Sequence, residues 1–406
     1  MKLLLYTQNH EPGGGNRYLT DFVNALPPSW TVEVITNRGA LFKSDLERLK
    51  QRSLSILELP VVTTHDLVHR GGVTGLLFKI WRRLPLINRL LTRRLRTKNS
   101  RQFGHFLQTR DYDAVWAFNG GFPGGYSCFD LLHTAHRRGL PTLMSVVSMP
   151  ATAEHFDRIY RHVIAGIDRF VVNCNRIKEA LSSSRNISPD RIDVIYNCTH
   201  LPATIRSCTS GSQGLQFGFV GRVEPLKGAE LMIEAFVEAL DHIPSAAHLH
   251  CYGKKMLGIR SMKLVAQHAD RITLHGPFDT ADTDVYPQID VLVLPSFWEG
   301  FPYVIIEAMA HGIPVLGTDV GGVSEVIQSH RTGLLIQARN KAQLTQAFIE
   351  LCAATSESIH AMGNQARLEV ERRFSYTSFE QAVKEYCRIH WNKDTDMKIP
   401  YAGTKL

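Results

Sequence analysis

The chain has 406 residues, 44% hydrophobic, 9% aromatic and 21% charged, with 46 basic against 38 acidic side chains and a net charge of +8. That apolar content can fill large cores and the net charge is too small for a self-repelling chain, which excludes wholesale disorder, collagen-like repeats and small disulfide-stapled scaffolds. At roughly 100 to 200 residues per domain, the length fits two domains.

Seven cysteines, Cys128, Cys174, Cys198, Cys208, Cys251, Cys352 and Cys387, are scattered without a C-x-x-C pair. That spacing suits a reducing compartment and no structural zinc. The opening lysine and three leucines run at once into Tyr6-Thr7-Gln8, which lacks the apolar stretch of a signal peptide and predicts a first strand. No window approaches the roughly 18 consecutive apolar residues of a membrane span, so the expected location is cytoplasmic.

Short β-rich apolar runs alternate with segments of helical period along the whole chain, which predicts βα units and parallel sheets. A first series of strands is expected at residues 3–7, 31–36, 56–59, 114–118, 142–147, 169–172 and 194–196. After the first of them comes Pro12-Gly13-Gly14-Gly15-Asn16-Arg17, then an amphipathic run. Glycines at a strand-to-helix turn let backbone amides approach a phosphate or sugar closely, and a plain flexible turn is the other reading. The segment is not G-x-G-x-x-G, and Asn37-Arg38 rather than an acid follow the second strand, which disfavours nicotinamide binding.

Residues 67–110 contain no acid and eleven lysines and arginines, more than the whole net charge. Within them, residues 76–101 place Leu76, Ile80, Leu84 and then Ile87, Leu91, Leu95 at helical intervals between arginines, and Pro85 predicts a split into two short amphipathic helices. A basic amphipathic face suits an anionic membrane surface. An anionic glycan or a solvated face is the alternative, and nucleic acid is disfavoured because no reading motif accompanies the charge.

Residues 199–214, THLPATIRSCTSGSQG, read as a linker that divides the chain into 1–203 and 204–375. Beyond it, strands are expected at 216–220, 248–252, 272–275, 291–294, 314–317 and 333–336, so each half predicts a doubly wound α/β domain with its ligand at the carboxyl ends of the strands. In FGFVGRVEPLKG a strand runs into Gly221, and Arg222 and Lys227 follow where two cations could clamp a diphosphate, or simply lie on the surface. In VLVLPSFWEGFPYVIIEAMAHGIPVLGTDV a strand ends at Leu294, Glu299-Gly300-Phe301 form a turn, and Pro302 can open a helix as its first residue. Free amides at Tyr303 and Val304 with the positive end of the helix dipole favour an anion.

Glu299 and Glu307 flank that turn with seven residues between them, and their carboxylates could accept hydroxyl hydrogen bonds of a sugar. The bland reading of the pair is a capping acid plus a surface acid. Glu230 and Glu238 show the same gap and read as a solvated helix face.

Taken together, FVGRVEPLKG, the Glu299–Glu307 element, RTGLLI and the amino-terminal glycine loop resemble a retaining glycosyltransferase of family 4, with the GT-B fold of two Rossmann-like domains facing across a cleft. The resemblance implies a nucleotide-sugar donor bound by the second domain and a glycan or lipid-linked acceptor bound by the first, in cell-surface polysaccharide or glycolipid assembly. It implies that Arg222 and Lys227 neutralise the departing diphosphate, Glu307 holds the ribose, Glu299 faces the transferred sugar, and the amides of Phe301, Pro302-Tyr303 and Val304 hold phosphate and hexose oxygens. Gly14 and Gly15 would close over the donor, Gly276-Pro277-Phe278 would meet the base, and Asn197 stands where the family often has Asn-Gly. Residues 376–392 resemble the helix with which such proteins cross back to the first domain.

No cofactor or metal is expected, since two side-chain cations and a helix dipole replace a bound cation. The D-x-D matches Asp111/Asp113, Asp282/Asp284 and Asp394/Asp396 stand in the wrong places for one. One departure stands out: the family commonly carries a histidine where Val147 or Ser148 stands, so His133, His136 or His155 would have to replace it, or the chain is a catalytically weak, nucleotide-sugar-binding partner of a glycan-assembly complex.

Overall fold

The computed structural model describes residues 1–8, 10, 13–37, 43–49, 54–63, 66, 85–122, 124–151, 155–203, 214–277 and 285–391. Seven strands, β1 (Lys2–Thr7), β2 (Thr31–Asn37), β3 (Ser55–Leu59), β4 (Ala114–Asn119), β5 (Thr142–Val146), β6 (Arg169–Val172) and β7 (Ile192–Val194), pair in parallel in the order β3-β2-β1-β4-β5-β6-β7. A second parallel sheet has the order β10-β9-β8-β11-β12-β13, from β8 (Gln216–Val220), β9 (His248–Tyr252), β10 (Ile272–Gly276), β11 (Val291–Leu294), β12 (Val315–Thr318) and β13 (Gly333–Ile336). The doubly wound architecture expected from the alternating pattern is present.

Parallel sheets covered by helices on both faces need strands that are apolar throughout. Accordingly Leu3, Leu4, Leu5 and Tyr6 are wholly buried, as are all residues of β4 and β11. The order reverses between β1 and β4 and again between β8 and β11, and at such a reversal the flanking loops diverge and open a crevice at the carboxyl ends of the strands.

Two sequence expectations are corrected. The seventh strand is Ile192–Val194, not 194–196, because the edge position tolerates polar residues. Arg169 grips Asp193 through Nε and Nη2 at 2.8 and 3.0 Å, and Tyr196 is turned away to donate to Glu325 of the second sheet's side. Pro85 starts a helix, Pro85–Gln108, whose 24 residues make it longer than the short helix expected after the proline. Proline is tolerated there because a first helical N–H has no partner to lose, and buried Thr92, Asn99, Phe103, Phe106 and Leu107 carry the helix onward against helix Tyr126–His136. Residues 76–84 lie outside the described residues.

The last described helix, Tyr376–Trp391, returns to the first domain, where Phe379 lies edge-on to Tyr18 and Phe22 at 6.1 Å and Trp391 meets Trp30 at 5.6 Å. Thr199 is pinned at the same crossing: its N–H donates to Phe374 O at 2.9 Å and its carbonyl accepts from Tyr376 N at 3.0 Å. The rest of the linker, 204–213, lies outside the described residues. Among those described, six cysteines are free, and no helix is long and apolar enough to cross a membrane.

One face of β9 and β10 carries stacked imidazoles: His248 and His250 at 4.4 Å, with His250 Nδ1 3.0 Å from His275 Nε2 and the His275 ring parallel to Tyr252 at 4.2 Å. Burial, then the neighbouring His248 and His275, pushes His250 down to about 4. The folded chain therefore binds fewer protons here than the unfolded one, whose histidines titrate near 6.5. This contribution to stability is full above that value and is lost as pH falls toward 4. His250→Gln is expected to flatten the decline of the urea midpoint between pH 6.5 and 4 relative to the parent. An unchanged slope would show that the cluster carries no such linkage.

Candidate active site

The carboxyl ends of the two sheets meet across a cavity of about 320 Å³. Gly14, Gly15, Gly120, Val147, Ser148, Asn173 and Asn197 form one wall, each just beyond a strand of the first sheet or in the helix turn after it. Val220, Gly221, Lys227, Leu294, Glu299, Gly300, Phe301, Pro302, Tyr303 and Val304 form the other. The turn after β11 and the glycine loop after β1, read from the sequence as separate elements, thus face each other.

The walls touch at Gly300, where a Cβ would sit 2.4 Å from Val147 O and 3.0 Å from Ser148 Cα. No other residue fits. Asn197 Nδ2 donates to Phe301 O at 2.7 Å, and Asn197 Oδ1 accepts from Asn173 Nδ2 at 3.1 Å. Glu325 caps a helix from across the seam, accepting from the N–H groups of Asn175 and Arg176 at 2.9 Å, the first residues of helix Asn175–Arg185.

Lys227 ends a short turn, Pro225–Lys227, that Gly228 closes at φ 72 with its Cα against Pro295, where a Cβ would lie 2.0 Å from the carbonyl oxygen. The turn aims the ammonium at Glu299, Nζ to Oε1 2.6 Å, and Ser296 Oγ donates to the same oxygen at 2.6 Å. Glu299 is only 7% exposed, so this carboxylate is held by a cation and a hydroxyl in a partly dehydrated wall. Arg222 is placed differently from the expected clamp. Its guanidinium lies 3.1 Å from Glu224 Oε1, is 57% exposed and is not part of the wall, because the carboxylate two residues on captures it.

Helix Tyr303–Ala310 begins one residue later than expected: Pro302 is its N-cap, with φ −75 and ψ 125. Four residues into the helix, Glu307 is bonded from both sides: Tyr286 OH donates to Oε2 at 2.6 Å, and Arg17 Nη1 donates to Oε1. Arg17 comes from the first domain, its guanidinium stacked 4.0 Å over the Tyr303 ring. Burial works against that charge, but Glu307, with Tyr303 and Asp21, more than offsets it and holds the guanidinium above its ordinary range. Arg17 Nε is buried with no hydrogen-bond partner.

Other expected residues fall outside the cavity. Gly276 ends β10 at φ 82 and accepts from Gly253 N at 2.7 Å, neither it nor Pro277 reaches the wall, and Phe278 lies outside the described residues. Glu230 accepts from Gly258 N at 2.8 Å and the half-exposed Glu238 pairs with Lys341 at 3.0 Å, so the second glutamate pair lies on a solvated helix face as expected. His133 and His136 lie at the far end of their helix, and His155's side chain is not described. Burial first, then neighbouring cations, pushes His133 down to about 4.

Val147 is partly buried against the core and its carbonyl accepts from Asn173 Nδ2 at 3.2 Å, so Val147, Ser148 and Asn173 line the cavity where the family histidine would be. Asp113 of the first D-x-D match accepts from Lys2 N at 2.6 Å, and the other two matches lie outside the described residues. Among the described residues no three His, Cys, Asp or Glu side chains come together as metal ligands would.

Sequence reasoning missed Arg17 as a partner of Glu307, and missed Tyr286, Ser296, Asn173 and Glu325 altogether. For Asn173 a signal existed: a polar residue directly after a buried apolar strand, the same position that picked out Gly221.

Two family models divide the chain between them, Glycosyltransferase Family 4 over residues 12–201 and Glycosyl transferases group 1 over residues 214–354. The chain belongs to glycosyltransferase family 4. Relatives of this family 4 chain include the D-inositol 3-phosphate glycosyltransferases of Rhodococcus erythropolis, 30% identical over 289 residues, and Gordonia bronchialis, 32% identical over 267. These matches span 65% and 60% of the chain and 64% and 57% of the relatives' lengths.

In fold it is similar to Anabaena HepE in complex with UDP, at TM-score 0.70 and 17% identity over 96% of this chain and all of the other. It is also similar to the sucrose-phosphate synthase of Thermosynechococcus elongatus, at TM-score 0.68 and 19% identity over 96% of this chain and 99% of the other. The architecture is GT-B.

Arg17→Ala strips one partner from the mostly buried Glu307 and is expected to cost about 3 kcal/mol, read as a lower urea midpoint at unchanged slope. Arg222→Ala breaks an exposed pair and is expected to cost less than about 1 kcal/mol. Equal losses would contradict the placement of these two arginines.

Proposed function

We propose that the chain moves a sugar from a nucleotide-diphosphate donor to an acceptor hydroxyl with retention at the anomeric carbon. The observation that carries this reading is the joining at one cavity of Lys227, Glu299 and the amino end of helix Tyr303–Ala310, with Glu307 farther along the same helix. In the transfer, the bond from the anomeric carbon to the diphosphate breaks, leaving charge on phosphate oxygens. Lys227, the free amides at Tyr303 and Val304, and an Arg222 swung off Glu224 stabilise that charge where a metal would otherwise be needed.

Glu307 accepts the ribose hydroxyls, and Arg17 and Tyr286 hold its carboxylate in place. Glu299, anchored by Ser296, faces the transferred sugar, Gly14 and Gly15 close over it, and Gly276, Pro277 and Phe278 meet the base. The acceptor oxygen attacks on the same face, and its proton passes to the departing phosphate oxygen. Ser148 and Asn173 stand in for the usual histidine, and losing one transition-state hydrogen bond slows such a step by about 10²-fold to 10³-fold without abolishing it.

The named complexes of HepE with UDP and with UDP-glucose support a nucleotide-sugar donor. The acceptor in this reading is a glycan or lipid-linked sugar of cell-surface polysaccharide or glycolipid assembly. The enzyme works in the cytoplasm, and residues 76–101 bring it to an anionic membrane surface. A second reading rests on Val147 in place of the histidine: a nucleotide-sugar-binding, catalytically weak partner.

A thermal-shift panel of UDP, GDP, ADP and their sugar conjugates tests both. A ligand at 100 times its dissociation constant adds roughly 2.7 kcal/mol to stability. One nucleotide is expected to stabilise the parent and leave an Arg222→Ala, Lys227→Ala variant unmoved. Stabilisation without glycoside formation on any acceptor would favour the second reading, and no stabilisation by any nucleotide would sink both.

A further inference from the structure

We propose that the rim of the second domain beside the cavity, formed by residues 254–263 with Leu226 and Trp298, is a docking surface for an anionic lipid bilayer. It is a different surface from residues 76–101, and it rests on its own exposure and charge rather than on sugar transfer.

A helix that meets only water on its outer side carries polar residues there. Helix Ile259–Gln267 does not. Its inner stripe runs through the buried Ser261 and Val265, while Ile259 and Met262, one turn apart on the outer side, are 80% and 40% exposed. Met256, in the loop before the helix, is exposed as well. Leu257 packs against the core of the second domain, so the loop is held in place while Met256 and Ile259 stand out from it.

Backbone bonds set this loop beside the cavity. Met256 N donates to Val223 O at 2.9 Å, and Gly258 N donates to Glu230 Oε1 at 2.8 Å. On the other side of the turn Pro225–Lys227, Phe297 N donates to Leu226 O at 3.0 Å. Leu226 and Trp298, 63% and 48% exposed, therefore belong to the same rim, and each adjoins a residue of the cavity wall, Lys227 and Glu299. A single exposed apolar side chain carries no meaning. Of the 11 large hydrophobic side chains exposed among the described residues, however, five stand on this rim, and such a concentration marks a contact surface.

Cations interleave with the apolar side chains. Lys254, Lys255, Arg260 and Lys263 are all exposed. Arg260 lies 3.4 Å from Glu234 and Arg222 3.1 Å from Glu224, so the rim's pull on an anionic partner comes from the three lysines. Lysine also decides between lipid and protein. Protein interfaces deplete lysine, whereas at a bilayer its stem lies along the acyl chains and its ammonium reaches the headgroups, the depth at which tryptophan also settles. The apolar strip is short, so it binds only together with the lysine charge, which makes docking reversible and dependent on anionic lipid. Docking here sets the wall that carries Lys227 and Glu299 next to the headgroups.

The test is flotation of the full chain with phosphatidylcholine vesicles with and without phosphatidylglycerol. Beside it runs hydrogen–deuterium exchange of residues 254–263, which reports this surface apart from residues 76–101. The apolar variant is Ile259→Ser with Met262→Ser, and the charge variant is Lys254→Gln, Lys255→Gln and Lys263→Gln. A control, Leu368→Ser with Ile389→Ser, removes two exposed apolar side chains elsewhere. All these positions are exposed, so the melting temperature is expected to stay unchanged.

The expected result is binding to vesicles that contain phosphatidylglycerol and not to phosphatidylcholine alone, with slower exchange of residues 254–263 on those vesicles. Affinity is expected to fall at least about tenfold in the apolar and charge variants and less than about twofold in the control. No binding to anionic vesicles, equal binding by the parent and the apolar variant, or unchanged exchange of residues 254–263 overturns the proposal. So does self-association in sedimentation equilibrium that the apolar variant abolishes, since the rim then meets a second copy of the chain. None of these readouts involves a nucleotide or a glycoside, so this proposal and the transferase reading fail separately.

Discussion

The contact between Gly300 and the Val147 carbonyl sets the geometry on which the cavity depends. Two twisted sheets, each with its loops splayed at a reversal of strand order, can share a site only if those loops come within van der Waals distance. A missing side chain at Gly300 is what permits that distance, and the bond from Asn197 to the Phe301 carbonyl holds it. From this one approach follow the facing of Gly14 and Gly15 with Tyr303, the position of Ser148 opposite Glu299, and the reach of Arg17 to Glu307.

The seam mixes polar and apolar contacts, with Tyr196 of the first domain 5.3 Å from the Phe301 ring of the second. Beside it, Arg17 pairs with Glu307, and Glu325 accepts from the amino end of helix Asn175–Arg185, interactions that lose strength when water enters. Aromatic packing also anchors the crossing helix Tyr376–Trp391, whose rings bind it to the first domain.

Charge meets a partner both at the cavity and on the flank of the first domain. At the cavity each cation has an anion: Lys227 has Glu299, Arg17 has Glu307, and even the outlying Arg222 has Glu224. On the flank, Arg96 lies against an imidazole and an aromatic ring and acts on the buried Asp130, and Arg138 donates to a carbonyl.

Much of the fold was legible because its cause is local: strands buried on both faces must be apolar along their whole length, and β1, β4, β6, β8 and β11 could be read from that alone. Short sequence patterns likewise mark the turn that carries Lys227, the loop of Glu299 and the helix that holds Glu307. Edge strand β7 was misplaced because its polar residues are satisfied by a partner far away in sequence, Arg169. What the sequence by itself determined is therefore the set of elements and the chemistry each can present. Which carboxylate Arg222 chooses, that Arg17 crosses to Glu307, and that arginines of two helices share one groove were decided by the tertiary structure, because a side chain's partner depends on distances that only the packing of the two sheets creates.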